Sequence, residues 1–362
     1  IGGFPDDDIT VSSANGTIQW QQADNTGFTA NLTNLGTNST TLTIAEIGEL
    51  TATKYYRAVV SSGACTSVTS GTIAVAAATT TWTSAAGGSW SNGAPNSKTA
   101  AVISYDYTSL EDLNACSLTV TNGANVIMSS GDNINLFGAL TVSSGTFTLN
   151  NNANLVQETD AANTGNVVVK RTSASLMRQD YALWSAPVAG QQLQSFSPNT
   201  LSNRFYTYNP TANNYAVVAS PSTTDFEIGK GYLIRMPNNH SATPLAWTGS
   251  FSGAPNNGPY SVPVTIGTYN AIGNPYPSAI DADAFINDNG IVEALYFWRK
   301  TNNAATSSYA TYTTAGGVSN SAGDPLGLTP NGMIQVGQGF IAKATSTSFD
   351  FENSMRVGDN GN

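Results

Sequence analysis

The richest cluster of oxygen ligands in this sequence consists of three aspartates and an asparagine: Asp281, Asp283, Asp288 and Asn289. Carboxylate and amide oxygens are the ligands that Ca²⁺ takes in proteins. The spacing does not fit a twelve-residue calcium loop, because the glycine comes at position 290 rather than three residues after Asp283. We interpret Ser278–Ile286 instead as one or two helical turns, capped by Ser278 or Asp281 after Pro277. The sequence leaves open whether these aspartates also bind calcium.

The residue types needed for catalysis are sparse. His240 is the only histidine, so one chain contains no Ser-His-Asp arrangement beyond a lone residue and no two-histidine metal site. A glycosidase needs two carboxylates that flank a cleft, and nothing in the sequence pairs Glu227, Glu293 or Glu352 with a partner. We therefore predict a protein that is not an enzyme, with no catalytic residue, no cofactor and no metal.

Aromatic residues are the remaining candidates for function, because exposed rings stack on sugars while neighbouring amides bind hydroxyl groups. Tyr206 corresponds to Tyr296 in a repeated block, and Tyr208 corresponds to Trp298, so we expect these four to pack the cores of two copies. Tyr309 and Tyr312 fall in Thr301–Asp324, a polar segment without a counterpart. We expect that segment to be a surface loop and name both tyrosines as candidate ligand contacts.

Three blocks recur in the same order in the second half of the chain, which predicts a duplicated β unit. Tyr181-Ala-Leu-Trp-Ser-Ala-Pro187 recurs as Tyr269-Asn-Ala-Ile-Gly-Asn-Pro275, and Phe205-Tyr-Thr-Tyr208 as Leu295-Tyr-Phe-Trp298. Ile228-Gly-Lys-Gly-Tyr232 recurs as Val336-Gly-Gln-Gly-Phe340. The Gly-x-Gly pairs lack the phosphate-loop pattern and do not lead into a helix, so we interpret them as tight turns.

Composition excludes several classes of protein. Hydrophobic residues make up 40% of the 362 residues, enough to build cores, and only 10% are charged, against about 25% in an ordinary soluble domain. The net charge of −10 supplies no basic patch for nucleic acid. No apolar run approaches the ~20 residues that span a bilayer, so we predict no membrane insertion.

The pattern of short alternating runs predicts an all-β chain in three parts. Residues 1–77 read as an Ig-like β-sandwich with Trp20 in its core, and the Ala- and Thr-rich segment 75–81 as a linker. Residues 78–158 read as a short right-handed β-solenoid, because Leu118-Thr-Val120 returns 22 residues later as Leu140-Thr-Val142. Residues 159–362 read as the duplicated β-sandwich, with copies at about 180–250 and 268–350.

Two further expectations concern the solenoid and the cysteines. Asn150-Asn-Asn152 suits a polar ladder along the stack, and with two or three coils the solenoid should lean on a neighbouring unit. Cys65 and Cys116 are the only cysteines and lie in different parts of the chain. We expect Cys116 to be a small buried hydrophobe rather than one half of a bridge.

The motifs of the third part resemble a known family. They are Asp180-Tyr-Ala-Leu-Trp-Ser-Ala-Pro-Val188, Phe196-Ser-Pro198, Arg204-Phe-Tyr206, Gly229-Lys-Gly-Tyr232, Ile272-Gly-Asn-Pro-Tyr-Pro-Ser-Ala-Ile280, Gly337-Gln-Gly-Phe340 and Phe351-Glu-Asn-Ser-Met-Arg356. In succession they resemble the region that precedes the C-terminal sorting domain of large Bacteroidota cell-surface proteins. Trp90-Ser-Asn-Gly-Ala-Pro95 and Ala115-Cys-Ser-Leu-Thr-Val120 resemble the accompanying solenoid. Residues 1–77 resemble bacterial Ig-like repeats, in which a cysteine placed like Cys65 pairs with one before the first strand; that cysteine is absent here.

The resemblance implies export and display rather than chemistry. It implies passage through the type IX secretion system, with contact to the translocon and the outer-membrane shuttle made by a sorting domain beyond Asn362. We therefore expect an extracellular, adhesin-like surface or secreted protein, linked to attachment or gliding motility, with a surface glycan or protein as ligand. Two alternatives stay open: a carbohydrate-binding module of an exported polysaccharide-active protein, and an extracellular filament subunit.

Overall fold

The computed structural model describes residues 2–36, 38–63, 65–84, 87–299, 309–319 and 328–358. Within them the chain is nearly all β, as predicted. No helix in these ranges has the length and apolarity needed to cross a bilayer.

The N-terminal unit is the expected small sandwich. Its elements are β1 (Ile9–Thr10), β2 (Thr17–Ala23), β3 (Thr33–Leu35), β4 (Thr41–Leu42), α1 (Ile44–Ile47), β5 (Lys54–Ser61), β6 (Val68–Thr69) and β7 (Ile73–Val75). Strand β2 pairs with β3 and β5, while β6 and β7 pair with different stretches of β5, and β1 pairs with β4. Trp20 is 1% exposed in the core, and its indole N–H donates to the Ser39 carbonyl at 3.0 Å.

Two local predictions for this unit need correction. Thr40–Ile44 is one of the short runs that predict a strand in residues 1–77, but only Thr41–Leu42 forms one, because Thr43 and Glu46 form a capping box that starts α1. The segment 75–81 is not a linker. The Ala78 N–H donates to the Phe4 carbonyl at 2.9 Å, and Thr79 already begins the next sheet, so this segment is bonded on both sides.

A β-solenoid of about four turns follows, where the sequence predicted two or three coils. Its strands are β8 (Thr79–Trp82), β9 (Ala100–Ile103), β10 (Tyr107–Thr108), β11 (Leu113–Ala115), β12 (Ser117–Val120), β13 (Asn125–Met128), β14 (Asn133–Leu136), β15 (Leu140–Val142), β16 (Thr146–Leu149) and β17 (Asn154–Gln157). They form three parallel faces: β8-β9-β12-β15, β10-β13-β16 and β11-β14-β17. Leu118 pairs in register with Leu140, so the 22-residue step in the sequence is the length of chain in one coil.

The polar ladder of the solenoid lies on a different face from the one predicted. Asn154 Nδ2 donates to Asn133 Oδ1 at 3.0 Å, and the Asn133 backbone N–H donates to Asp112 Oδ1 at 2.7 Å. Asn150–Asn152 instead accept hydrogen bonds from the strand that follows, including one of 2.6 Å from Arg171 Nη1 to Asn152 Oδ1. These asparagines attach the solenoid to its neighbour.

The remaining residues form two copies of one unit. The first contains β18 (Val167–Thr172), β19 (Tyr181–Trp184), β20 (Val188–Ala189), α2 (Leu193–Phe196), β21 (Phe205–Asn209), β22 (Asn214–Val217), β23 (Tyr232–Arg235) and β24 (Thr248–Pro255). The second contains β25 (Tyr260–Pro263), β26 (Tyr269–Gly273), β27 (Ala279–Asp281), α3 (Ala282–Asp288), β28 (Leu295–Trp298), β29 (Tyr309–Thr313), β30 (Gly316–Val318), β31 (Met333–Ile334), β32 (Gly339–Lys343), β33 (Ser348–Phe351) and β34 (Arg356–Val357). Short 3₁₀ turns occupy Ser202–Arg204 and Asn353–Met355.

The two copies repeat the same strand order. The first has a sheet β19-β23-β21-β22, and the second has β26-β32-β28-β29, extended by β30. Each copy also opens with a strand that pairs antiparallel with its last long strand, β18 with β24 and β25 with β33. The repeated topology therefore starts one strand earlier in each copy than the repeated sequence blocks.

The solenoid leans on the first copy, as expected. Strand β16 pairs in parallel with β18, so one sheet runs β10-β13-β16-β18-β24-β20 from the solenoid into the duplicated unit. One hydrophobic cluster likewise contains solenoid residues such as Leu149 and first-copy residues such as Phe251. Sheet and core are continuous, so the two parts form one body.

Candidate functional site: the cleft between the two copies

The two copies face each other through an aromatic interface. Its rings are Tyr181, Tyr206, Tyr208, Tyr215, Tyr269, Tyr296, Trp298 and Tyr309, which surround four buried aliphatic residues. The expectation that Tyr206, Tyr208, Tyr296 and Trp298 fill the core of each copy is wrong. Those cores contain residues such as Phe205 and Phe251 in the first copy and Phe285 and Phe351 in the second. The four named aromatics instead lie in the interface that holds one copy to the other.

The two Gly-x-Gly turns exchange hydrogen bonds between the copies. The Gly229 carbonyl of the first copy accepts from the Gly273 N–H of the second at 3.0 Å. The Gly337 carbonyl of the second copy accepts from the Ser185 N–H of the first at 2.9 Å. Because Ser185 and Gly273 occupy corresponding positions, the exchange is reciprocal. The turns are structural, as the sequence indicated. Besides reversing the chain, each one binds the other copy.

A cleft of about 300 Å³ opens beside this joint and is lined by both copies. The first copy contributes the segment from Arg171 to Leu176 and the strand from Tyr181 to Trp184. The second copy contributes Phe297–Arg299, Ala310, part of 328–335 and the turn from Val336 to Gly339. The lining thus combines aromatic rings, amides, hydroxyls and two guanidinium groups.

The described lining of the cleft contains cations but no acidic side chain. Arg171 and Arg299 line it, while no described lining residue is Asp, Glu, His or Cys. Burial lowers the pKa of Arg171, and its Nη1 is bonded to the Asn152 amide oxygen. Arg171 thus brings a cation that is bonded to a neutral amide into a chain whose net charge is −10.

The structure places Tyr309 and Tyr312 on strand β29, so their assignment to a surface loop is wrong. The Tyr309 hydroxyl lies 3.2 Å from the Tyr215 hydroxyl in the aromatic interface. Tyr312 is 8% exposed and donates to Asp283 Oδ1 at 3.1 Å. Their role as ligand contacts stays a prediction, although both hydroxyls are engaged within the chain. The rest of Thr301–Asp324, apart from 309–319, lies outside the described residues.

The acidic cluster around Asp281 has structural partners. Asp281 is the N-cap of α3, and its Oδ1 accepts from the Asp283 N–H at 2.8 Å and the Ala284 N–H at 3.3 Å. Asn289 is buried and exchanges hydrogen bonds with the backbone of Asp350. Among the described residues no group of three or more His, Cys, Asp or Glu is placed to hold a metal ion. Of the two predicted caps, Asp281 is the one observed.

The remaining reactive side chains are also held in the framework. His240 Nε2 lies 3.0 Å from the carbonyl oxygens of Leu176 and Leu245, which face each other in an isolated antiparallel bridge. Glu227 pairs with Lys230 on the surface, and Glu293 with Lys343. Cys65 is exposed and free, and Cys116 is buried and free, as expected for a small hydrophobe. Burial raises the pKa of the Cys116 thiol to about 12.

Sequence reasoning missed the cleft itself. Its lining comes from distant parts of the chain, with more than a hundred residues between Arg171 and Gln338. Only the pairing of the copies brings these residues together with Trp298 and Arg299. One signal was available. With only 13 lysines and arginines in 362 residues, each arginine near a repeated aromatic block is a candidate for a specific role.

The fold and the cleft define an all-β scaffold in which a solenoid supports two copies of one unit, and these copies face each other across the cleft. The chain belongs to the family described as "Domain of unknown function (DUF8693)", which matches residues 74–362. A second family, "Domain of unknown function (DUF8696)", matches residues 3–81. The first match covers the solenoid and both copies together, in line with their shared sheet. No curated protein and no solved structure matches the chain.

Proposed function

We propose that this chain is the non-enzymatic, adhesin-like binding region of a protein that the type IX secretion system delivers to the cell surface or the medium. The motifs from Asp180 to Arg356 support the route of export, and the low charge with many hydroxyl and amide side chains suits an extracellular surface. The translocon and the outer-membrane shuttle are engaged by a sorting domain outside this chain. Attachment or gliding motility is the process served.

The observation that carries the binding role is the cleft between the copies. Its described lining offers rings for stacking, amides and hydroxyls for hydrogen bonding and the guanidinium group of Arg171 as a cation. A site of this composition binds ligands through shape and polar contacts. It supplies no paired carboxylates and no histidine for acid–base chemistry within the described lining.

The same lining favours one of the alternatives, carbohydrate binding. Aromatic rings with flanking amides are the combination that binds sugar rings and their hydroxyl groups. Trp298 and Tyr181 supply rings at the cleft, and Gln338 and Asn331 supply amides. A carbohydrate-binding region of an exported polysaccharide-active protein is therefore our second candidate.

Filling the cleft is expected to abolish binding. Ala174 lines the cleft and is exposed, so Ala174→Trp places an indole in it without disturbing a core. We expect the variant to lose at least tenfold in affinity for any glycan that the purified chain binds on an array, a loss of about 1.4 kcal/mol. Ala212→Trp is the matched control, because Ala212 is exposed and outside the cleft. Equal binding by both variants would place the binding surface elsewhere.

The surface role is tested in cells. Deleting residues 2–358 while keeping the export signals is expected to reduce attachment or gliding severalfold. In a strain without the type IX translocon, an antibody should no longer detect the protein on the surface of intact cells or in the medium. Unchanged attachment and motility would contradict the adhesive role, and unchanged labelling would contradict the route of export.

A further inference from the structure

The two copies carry the same pair of tyrosines next to a cation. In the first copy the Tyr181 and Tyr206 rings lie 5.9 Å apart, and Tyr181 pairs across the sheet with Arg235. In the second copy the Tyr269 and Tyr296 rings lie 5.6 Å apart, and Tyr269 pairs with Lys343. The register is also equivalent, because Tyr206 pairs with Leu233 and Tyr296 with Ile341. The clusters can be compared residue by residue.

The second copy completes its cluster with a carboxylate of its own. Glu293 Oε1 accepts from Lys343 Nζ at 2.7 Å, and Oε2 accepts from the Tyr269 hydroxyl at 2.8 Å. The hydrogen bonds from Lys343 and Tyr269 hold the pKa of Glu293 below its usual range. This site therefore shows that a cation and a phenol in this arrangement bind a carboxylate.

The first copy has the cations without the carboxylate. Asn203 stands three residues before Tyr206, where Glu293 stands three residues before Tyr296. Arg204 Nη1 donates to the Tyr206 hydroxyl at 3.3 Å, so a second cation joins the cluster. Burial raises the pKa of the Tyr181 hydroxyl, and the charges of Arg204 and Arg235 oppose that rise.

Neither arginine finds a counter-ion in the part of the chain that the structure describes. The ion pairs there are Lys54–Asp24, Lys230–Glu227 and Lys343–Glu293. Arg235 Nη2 donates to the Asn238 amide oxygen at 3.4 Å, and its Nε is buried without a hydrogen-bond partner. The neighbouring Asp180 is 4% exposed, and its carboxylate accepts from the Met177 N–H.

We propose that Tyr181, Arg204, Tyr206 and Arg235 form a carboxylate site, which binds the acid group of a uronic-acid glycan from outside the chain. Guanidinium groups bind carboxylates through two parallel hydrogen bonds, and all four side chains of this cluster are partly exposed. Tyr181 also lines the cleft, where Thr172, Ser173 and Gln338 offer partners for sugar hydroxyls. A glycan that carries both groups fits this combination. The inference rests on the proposed binding function and names the ligand class.

The probe is tetragalacturonate, compared with the same tetramer fully methyl-esterified, by isothermal calorimetry on the whole chain. We expect binding of the acid form and at least tenfold weaker binding of the ester. Arg204→Gln and Arg235→Gln should each weaken binding of the acid form by about tenfold or more. Lys343→Gln is the matched control in the second copy and should leave the affinity unchanged.

Asn203→Glu provides a second, independent variant. It restores in the first copy the carboxylate that Glu293 supplies in the second, so it should occupy the site from within and abolish tetragalacturonate binding in a folded chain. Absence of binding to the acid tetramer, or binding that neither arginine variant weakens, would overturn the inference. So would tighter binding of pentaglutamate, which would indicate an acidic peptide. If the chain then still bound neutral glycans, and Ala174→Trp abolished that binding, the proposed function would stand and only the carboxylate site would be refuted.

Discussion

Arg356→Met is expected to lower the free energy of unfolding of the solenoid and duplicated unit by about 4 kcal/mol, because it removes a hydrogen-bonded charge from a buried joint. The guanidinium donates to four neutral acceptors: Ser278 Oγ at 3.1 Å, Asn257 Oδ1 at 2.5 Å, Asn353 Oδ1 at 3.0 Å and the Leu155 carbonyl. It also lies 4.8 Å from the centre of the Tyr276 ring. Methionine fills part of the volume but removes all four of these hydrogen bonds.

The position of this arginine explains the size of the effect. Leu155 belongs to the last solenoid strand β17, whereas Ser278 and Tyr276 belong to the second copy. Arg356 is 6% exposed, and burial lowers its pKa to about 10, so it stays charged at neutral pH. A buried cation without a carboxylate is tolerated only when its N–H groups are all hydrogen-bonded. Here the acceptors come from both the solenoid and the second copy, so the Arg356 side chain joins these two parts of the fold.

The measurement is urea unfolding of the whole chain, followed by tryptophan fluorescence. Lys230→Met is the control: it removes a cation from an exposed ion pair and is expected to cost less than about 1 kcal/mol. Arg356→Lys keeps the charge but not the planar fork, and we expect most of the loss to remain. A loss below 1 kcal/mol for Arg356→Met would show that the joint does not depend on this residue.

Much of the fold was predictable because its signals are local or periodic. Alternating runs indicated the strands of the N-terminal sandwich, with Trp20 between its layers. The 22-residue step from Leu118 to Leu140 indicated the solenoid, because stacked coils place equivalent residues side by side. The capping box at Thr43 and Glu46 was also local, and it was overlooked within a run of β-branched residues.

What was not predictable depends on pairs that are distant in the chain. The repeated aromatics were recognised, but a sequence does not show whether a repeated ring faces its own core or its sister copy. The 3.2 Å contact between the Tyr215 and Tyr309 hydroxyls joins residues 94 positions apart. Arg356 stood within a quoted motif, yet its burial follows from the docking of a solenoid strand 201 residues earlier. The cleft and the carboxylate cluster arise from the same docking.

Gly229→Ala is expected to cost about 3 kcal/mol of stability, because the first Gly-x-Gly turn enters the core of the opposite copy. Gly229 has φ +72°, a left-handed conformation that costs an alanine about 1–2 kcal/mol. A Cβ there would lie 2.4 Å from Val262 Cγ2 and 3.4 Å from the Phe351 ring, both in the second copy, and overpacking of this kind adds about 1–3 kcal/mol.

Gly190→Ala separates the two contributions. Gly190 has φ +75°, but a Cβ there would meet no atom within 4 Å, so only the backbone cost of about 1 kcal/mol is expected. Gly337→Ala should fall between the two, because Gly337 has φ +71° and its Cβ would lie 3.0 Å from the Phe251 ring of the first copy, a milder contact than the one at Gly229. Thermal unfolding by calorimetry compares the three variants. If Gly229→Ala and Gly190→Ala were equally stable, the turns would not pack across the copies; a difference of about 2 kcal/mol would show that each copy depends on the turn of the other.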